Sequence, residues 1–302
     1  MNSLSAANTH FTFDLFQQFK TSKKDDNIFC SPLSISSALA MTYLGAKENT
    51  AFEMEMVGVR FLYTDHEPTF LYLKVEKLGN VHHQFQKLLT ELKKPTDANE
   101  LNIANKLYGE KNYQFLQDTS KPVQMMKQVN VFKFTSLEDI KAKILEIPYK
   151  GKDLSMVLLL PDDVDGLQKL EDQLTAEKLR EWTSSQNMHD NYVDLYLPRF
   201  KVEETYDLKD TLRALGMVDV FNPQRANLSG MTGTKDLLVS KVIHKSFVEV
   251  TEEGTEAASS TAVVVNVGSP PTHPFHCDHP FLFFIRHNKT NSILFLGRVS
   301  SP

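Results

Sequence analysis

Apolar residues in the first half of the chain recur at the spacing of helices. A helix predicted over Phe11–Phe19 follows Asn8, which is a candidate N-cap. The run Ser31–Gly45 opens on Ser-Pro, and Pro32 suits the first position of a helix. Because this run carries few charges, it predicts a buried helix. A third helix is predicted over Asn80–Lys94, which is followed directly by a proline.

From residue 101 onward the periodicity shifts towards that of strands. Leu101–Leu107 favours a strand, although Ala104 keeps a short helix open as an alternative. Lys141–Tyr149 and Leu154–Leu160 flank a turn at Gly151, and together they predict a β-hairpin.

The last third of the chain alternates between the two periods. Asp165–Trp182 returns to helical spacing, whereas Tyr192–Val202 alternates apolar and polar residues as a half-buried strand does. Leu237–Val250 is a further strand candidate. Phe281–Arg286 and Ser292–Arg298 predict a hairpin that is apolar on both faces and therefore lies in a core. Helices followed by sheets, without a recognisable linker, predict one α+β domain over residues 1–302.

Composition then narrows the class of protein. The 302 residues are 41% hydrophobic and 24% charged, with a net charge of −5, as in ordinary globular chains. This acidic balance gives no footprint for nucleic acid, since phosphate binding needs clustered Lys and Arg. Cys30 and Cys277 are too few for a disulfide framework and favour a reducing compartment. No apolar run reaches bilayer length, so we expect neither a membrane span nor a membrane partner.

The sequence gives little evidence for a metal site, a bound cofactor or an enzyme activity. Four potential zinc ligands lie within seven residues, namely His273, His276, Cys277 and His279. In an extended strand the side chains of Cys277 and His279 share one face while His276 opposes them, so we expect no metal site. No motif for a catalytic serine, a zinc protease or a phosphate-binding loop is present, and we expect no cofactor and no enzyme activity.

One segment departs from the globular pattern. It starts at Thr251, opens acidic, continues with small residues, becomes β-branched and ends in prolines at Pro270 and Pro274. Its small residues would share one face of an extended strand; they are Thr255, Ala257, Ser259 and Thr261. A strand with such a face can enter a crowded sheet without overpacking. The segment is therefore able to be a surface loop or an inserted strand.

Several motifs in order along the chain resemble the serpin family. They are EVTEEGTEAASSTA ending at Ala262, the following Phe275–Ile285, Asn27–Met41, Leu228–Met231 and Phe295–Pro302. The chain start without a signal peptide and the Ser-Ser-Pro end are similar to the ovalbumin-like intracellular clade. Asn288–Phe295 and the LEIPYKGKDLSM stretch are similar to the squamous cell carcinoma antigen serpins. The resemblance implies a serpin fold: helices, three β-sheets and an exposed reactive-centre loop at about 252–275.

The resemblance also implies a mechanism and the residues that carry it. A protease would cut the loop, form an acyl-enzyme and be trapped as the loop inserts into the central sheet. Gly254 would be the hinge, and Thr255, Ala257, Ser259 and Thr261 would form the inserting face. The family's loop length places the cut at Gly268–Ser269, to within one or two residues.

The residues around the cut indicate the class of target. Val267 before Gly268 suits papain-like cysteine proteases, whose S2 pocket is apolar, and these are the first expected partner. Elastase-like serine proteases come second. A chymotrypsin-like serine protease would prefer a large apolar residue in place of Gly268.

Further residues match supporting positions of the family. Ser31, Ser34 and His244 correspond to the shutter, a polar network beneath the sheet that opens. Arg199 and Glu252 correspond to an ion pair at the top of the insertion site. Without the resemblance, His244 is better explained as a satisfied strand histidine, and Arg199 and Glu252 as an ordinary pair of solvated charges.

The chain also departs from the family. Compared with the family pattern, the chain passes between Gln117 and Asp118 from the start of one helix to the end of a much later strand. The resemblance therefore implies that a block is deleted, including the strand that borders the insertion slot. The central sheet is therefore expected to be incomplete. An inserting loop needs backbone partners on both sides.

Two hypotheses follow from these observations. One is a monomeric, cytoplasmic suicide inhibitor of proteases, with unconventional release as a second route to the outside. The other is a non-inhibitory serpin-like protein that acts as a protease substrate or a partner-binding module.

Overall fold

The helical periodicity at the start of the chain corresponds to three helices, and four shorter helices follow further along the described chain. A computed structural model describes residues 3–59, 90, 124–251 and 272–301. The helices are α1 (Ser3–Ser22), α2 (Pro32–Tyr43), α3 (Glu48–Val59), α4 (Leu167–Gln173), α5 (Ala176–Trp182), α6 (Lys209–Ala214) and α7 (Ser229–Thr232). A 3₁₀ turn covers Asp219–Phe221.

Ten strands lie in the same described ranges. They are β1 (Ile28–Cys30), β2 (Met125–Leu137), β3 (Ala142–Pro148), β4 (Leu154–Pro161), β5 (His189–Pro198), β6 (Phe200–Asp207), β7 (Ile243–Val250), β8 (His273–His276), β9 (Phe281–His287) and β10 (Ser292–Val299). Eight of them form one sheet in the order β1-β10-β9-β4-β3-β2-β5-β8. β6 and β7 form a separate antiparallel pair.

The large sheet is buried on both faces at its centre. Every residue of β4 is buried. Along β4, Val157 and Leu159 join a core that includes α1 residues such as Phe16, whereas the alternating Met156 and Leu158 join a second core. This second core also receives side chains from the β6–β7 pair. The continuous apolar pattern of β4 therefore reflects a strand between two layers.

The α+β class is confirmed, and the described strands group into two sheets where the resemblance implied three. Strand β2 accounts for this arrangement, because its 13 residues pair with β3 at one end and with β5 along most of the strand. With a shorter β2, the strands on the β3 side and those on the β5 side would form separate sheets. The long β2 joins them into one hydrogen-bonded sheet.

The two hairpins are confirmed. β3 and β4 flank a turn in which Gly151 has a φ of 84°, and β9 and β10 form the second hairpin, with all but one residue of each strand buried. The α2 prediction is also confirmed at its start, since α2 begins at Pro32. Its burial is not uniform, however: Met41 is 58% exposed and Leu44, just beyond its end, is 61% exposed.

Four boundaries differ from the sequence prediction. Asn8 lies inside α1 and is not its N-cap. Asp165–Trp182 divides into α4 and α5, because the side chain of Thr175 accepts a hydrogen bond from the Lys178 N–H and starts a new helix. Tyr192–Val202 divides into β5 and β6 after Pro198, which cannot donate to a ladder. The strand predicted over Leu237–Val250 begins only at Ile243.

Two further sequence predictions fall on residues outside the described ranges, and one observed strand was not predicted. The strand predicted over Leu101–Leu107 lies outside the described residues, as does the helix over Asn80–Lys94 apart from helical Thr90. Strand β2 was not predicted. Lys127, Val129 and Lys133 share its exposed face, so burial alternates along the strand while hydropathy does not.

We predict that Gly297→Ala destabilises the fold. Gly297 lies opposite Phe283 in the β9–β10 ladder, and a Cβ at this position would overlap the phenyl ring. Overpacking of this kind costs about 1–3 kcal/mol, which chemical denaturation will measure. In a Phe283→Leu background the added methyl has more room, so the same substitution should cost less. An equal cost in both backgrounds would contradict the assignment of the clash to Phe283.

Candidate functional site at the start of α2

The N-terminus of α2 carries the first of the predicted site residues. Ser31 is the N-cap of this helix, with extended backbone angles, and its Oγ accepts a hydrogen bond from the Ser34 N–H at 3.3 Å. Pro32 follows at the first helical position, where the missing N–H costs nothing. Both serines are buried, so the helix start lies within the fold.

A β-bulge in β10 supplies the partner for the Ser31 hydroxyl. The register with β9 shifts between Ile293 and Phe295, which leaves Leu294 as the extra residue. Its carbonyl accepts a hydrogen bond from Ser31 Oγ at 2.9 Å. The neighbouring carbonyl of Ile293 accepts one from Asn8 Nδ2 of α1 at 2.8 Å. Side chains from two helices thus satisfy the backbone at the bulge.

His244 of β7 closes the network from the other side. Its Nε2 accepts a hydrogen bond from the Ser31 N–H at 3.0 Å. An accepting Nε2 carries no proton, so the imidazole is neutral and its proton lies on Nδ1. The side chain is buried, and this desolvation lowers the pKa of His244 from 6.5 to about 4. The histidine is therefore a neutral structural acceptor at physiological pH.

Two residues that the sequence did not point to extend this network. Tyr206 of β6 lies directly opposite His244 in the ladder, with the two rings stacked at a centroid distance of 6.4 Å. Its hydroxyl accepts a hydrogen bond from the Phe29 N–H at 3.2 Å. Ser246 Oγ donates to the Phe29 carbonyl at 2.5 Å. The two-residue spacing from His244 to Ser246 is the signal that could have placed Ser246 on this face.

The predicted residue Arg199 lies at the far end of the β6–β7 pair. It connects β5 to β6, its side chain is exposed, and its N–H donates to the Gln124 carbonyl at 2.8 Å. The next residue, Phe200, pairs with Val250 at the end of β7. Arg199 is thus at the end of the sheet from which the chain continues towards Glu252, and its ion pair with Glu252 stays a prediction.

The residues predicted for the loop all lie outside the described residues. They are Glu252, Gly254, Thr255, Ala257, Ser259, Thr261, Val267, Gly268 and Ser269. Strand β7 ends two residues before Glu252, and all eight of its residues pair with β6. Within the described ranges, β6 is the strand that pairs with β7. The chain therefore enters the predicted loop from β7, and no second strand of the described ranges pairs with the other edge of β7.

The potential zinc ligands that follow the predicted loop contact different parts of the structure. His279 Nε2 contacts the Pro161 carbonyl at 2.7 Å, while the ring of His276 packs edge-on against Tyr196. Cys277 is buried, and this burial raises the pKa of its thiol well above the ordinary value. The described part of the chain contains no group of three or more side chains placed to hold a metal ion.

None of the helices that the structure describes is both long enough and apolar enough to span a bilayer.

Comparisons with known proteins agree with the order of these elements. The profile of the family described as "Serpin (serine protease inhibitor)" matches residues 6–119 and 110–302. Serpin B3 of Homo sapiens is 51% identical over 396 aligned positions, and the leukocyte elastase inhibitor of Equus caballus is 39% identical over 394; each alignment covers 100% of both chains. The crystal structure of uncleaved ovalbumin matches with a TM-score of 0.80 and 33% identity, covering 99% of this chain and 100% of that one.

The chain belongs to the serpin family. Its relatives include ovalbumin and an elastase inhibitor, so the similarity to the ovalbumin-like clade is confirmed. The matching family and the relative named leukocyte elastase inhibitor are described as protease inhibitors and not as enzymes, in agreement with the sequence prediction.

The comparisons also show that this chain is shorter than the alignment with one of its relatives. The alignment with Serpin B3 has 396 positions while this chain has 302 residues, so the difference of 94 positions stands opposite gaps in this chain. The family profile matches in two segments that meet at residues 110–119. The predicted junction at Gln117 and Asp118 lies in this interval.

We predict that His244 makes the stability of the fold pH-dependent between about pH 6.5 and pH 4. Below pH 6.5 the unfolded chain binds a proton at this histidine that the folded chain does not bind, so stability falls as the pH falls. The loss reaches about 3 kcal/mol near pH 4. Denaturation at a series of pH values will show a smaller decline over this range for His244→Gln than for the wild type.

The exposed His189 provides the matched control. His189→Gln should reproduce the pH profile of the wild type. A His244→Gln profile parallel to that of the wild type would show that the proton uptake lies elsewhere.

Proposed function

We propose that this chain is a serpin-type inhibitor that proteases cleave within the loop at about 252–275, in one domain over residues 1–302. The observation that supports this most directly is strand β7. It is held by β6 on one edge, ends at Val250 and continues directly into the hinge sequence around Gly254. A cleaved loop that turns back at Gly254 would therefore lie along the open edge of β7.

The chemistry of the inserting strand fits this path. Cleavage at Gly268–Ser269 would release the loop from its far end while the protease stays attached as an acyl-enzyme. The alternating small residues Thr255, Ala257, Ser259 and Thr261 would face the buried side of the sheet, where larger side chains would overpack. Glu256 would face solvent on the opposite side.

The network around Ser31 would control this insertion. The bond from the Ser31 N–H to His244 holds β7 against the start of α2, and Ser246 holds it against β1. Because these contacts are buried and neutral, they restrain β7 without the desolvation cost of a buried charge. Arg199 would guide the loop entrance through its ion pair with Glu252.

Papain-like cysteine proteases are the first proposed target and elastase-like serine proteases the second. Val267 supplies an apolar residue for the S2 pocket of a papain-like enzyme, and Gly268 is small enough for an elastase-like S1 pocket. The relative named leukocyte elastase inhibitor supports the second target class. We place the inhibitor in the cytoplasm as a monomer, with unconventional release as its second route.

The internal deletion favours a second candidate function. An inserted strand satisfies its backbone N–H and C=O groups only when strands lie on both sides. In the described ranges β7 offers one such side. The family resemblance implies that the strand bordering the other side falls in the deleted block. On this ground the chain would be a non-inhibitory substrate or partner-binding serpin.

Neighbouring loop positions separate the two candidates. We predict that Ala257→Arg abolishes inhibition while the loop is still cleaved, because this side chain would enter the sheet interior on insertion. Glu256→Arg should preserve inhibition, since this residue would point to solvent. Each variant is mixed with a papain-like protease and with elastase. Residual protease activity, a denaturant-resistant complex and the mass of the cleaved chain are then measured.

The wild type decides between the candidate functions. Inhibition with a stable complex supports the inhibitor, and cleavage near Gly268 should then raise the thermal stability of the serpin. Cleavage with neither a complex nor a rise in thermal stability would contradict the inhibitor and support the substrate role.

A further inference from the structure

Two glycines form a close backbone contact between α7 and the turn that follows α2. The Gly230 N–H donates to the Gly45 carbonyl at 3.0 Å. A Cβ added to Gly230 would lie 2.8 Å from that carbonyl oxygen and 3.0 Å from the Gly45 Cα. Because such a Cβ would overlap the backbone of the turn, the close approach requires glycine in α7. The backbones of the two segments therefore touch directly.

The side chain of Met231 packs on this glycine contact. A Cβ added to Gly45 would lie 2.1 Å from Met231 Cγ and 3.1 Å from its Sδ, so the thioether fills the space that the missing Cβ leaves. Dispersion contacts with the backbone of Gly45 hold the side chain there. Met231 is nevertheless 49% exposed. An oxidant dissolved in water can therefore reach this side chain.

Hydrogen bonds next to the glycine contact hold a longer segment in place. The Lys47 N–H donates to the Asn227 carbonyl at 2.9 Å, and the Asn227 N–H donates to Thr50 Oγ1 at 3.0 Å. Lys235 Nζ forms an ion pair with Glu48 Oε2 at 2.8 Å. The segment that contains α7 is therefore attached to the start of α3, and it continues into the connection that leads to β7.

The turn after α2 offers little to an additional hydrogen-bond acceptor. The N–H groups of Gly45, Ala46 and Lys47 all donate to carbonyl oxygens already. A sulfoxide oxygen is polar and accepts hydrogen bonds, and on Met231 it would find no free backbone donor at these three residues. An acceptor held against the backbone without a partner costs free energy. The oxidised side chain is therefore more stable in water than over Gly45.

We propose that Met231 is a site of reversible oxidation that loosens α7 from the turn after α2. The oxidant is a peroxide such as hydrogen peroxide. A lone pair of the sulfur attacks one peroxide oxygen, an S–O bond forms as the O–O bond breaks, and the leaving hydroxide takes up the remaining proton to become water. The sulfur loses two electrons and the peroxide gains them. Methionine sulfoxide reductases reverse the change.

Other exposed methionines provide the comparison for this site. Met41 of α2 and Met56 of α3 are 58% and 43% exposed, and a peroxide can reach them as well. The three atoms nearest to a Cβ on Gly45, however, all belong to Met231. Oxidation of Met41 or Met56 should therefore leave the glycine contact intact.

Hydrogen exchange of the full chain, before and after treatment with hydrogen peroxide, tests the proposal. Peptide masses report both the oxygen added at each methionine and the exchange of the Lys47 and Gly230 amides. In the wild type, an oxygen on Met231 should speed exchange at both amides by about fivefold or more, because local opening becomes easier when a packing contact is lost. Treatment with methionine sulfoxide reductases should restore the original rates.

Three variants separate this site from the other methionines. Met231→Leu keeps an apolar side chain over Gly45 without the sulfur, so peroxide should leave its exchange unchanged. A chain with both Met41→Leu and Met56→Leu should respond to peroxide as the wild type does. Gly45→Ala should displace the thioether without any oxidant, so its exchange should be fast before treatment and change less than about twofold after it.

Unchanged exchange in a wild-type chain that carries oxygen on Met231 would overturn the proposal. Equal acceleration by peroxide in Met231→Leu would do the same, as would oxidation of Met41 and Met56 while Met231 stays reduced. No protease takes part in these measurements. Their failure would therefore leave the inhibitor hypothesis untouched, and their success would not depend on it.

Discussion

The rest of the structure depends on one hydrogen bond, from the Ser31 N–H to His244 Nε2, because this bond joins the start of α2 to β7. Ser31 starts α2, its hydroxyl reaches the Leu294 carbonyl of β10, and its N–H reaches β7. One residue thereby connects a helix, the large sheet and the smaller pair of strands. The connection works because β10 bulges at Leu294, which frees a carbonyl from the ladder. It also requires a neutral imidazole, which burial of His244 favours.

Backbone hydrogen bonding sets the condition that any function of the loop must meet. Strand β7 is fully paired with β6 on one side, so the other edge decides whether a cleaved loop becomes an internal strand or an edge strand. An internal strand gains two ladders, while an edge strand gains one and leaves its outer groups to water. The loss of a bordering strand, which the family resemblance implies, would act on this balance directly, while the Ser31 network and the hinge sequence stay in place.

The sequence predicted the elements whose hydropathy matches their burial, and it failed where tertiary contacts set the boundary. Both hairpins and the start of α2 follow from turn and cap residues. Strand β2 was missed because its exposed face carries Val129 and Val131 among lysines, so its pattern is not amphipathic. Asn8 resembles a cap but is used inside α1 for a contact with β10, 285 residues away. At the site, the resemblance selected Ser31 and His244, whereas Tyr206 joined only through the β6–β7 register.

The bulge in β10 shows why part of the site is beyond sequence reasoning. Leu294 is the extra residue of this bulge, and its carbonyl accepts a hydrogen bond from the Ser31 hydroxyl, 263 residues earlier in the chain. The neighbouring Ile293 carbonyl accepts a hydrogen bond from Asn8 of α1. No motif joins these residues along the chain, because the bulge exists only in the register between β9 and β10. A shift of this register would move both carbonyls away from their donors, so the pairing of β9 with β10 and the Ser31 network stabilise each other.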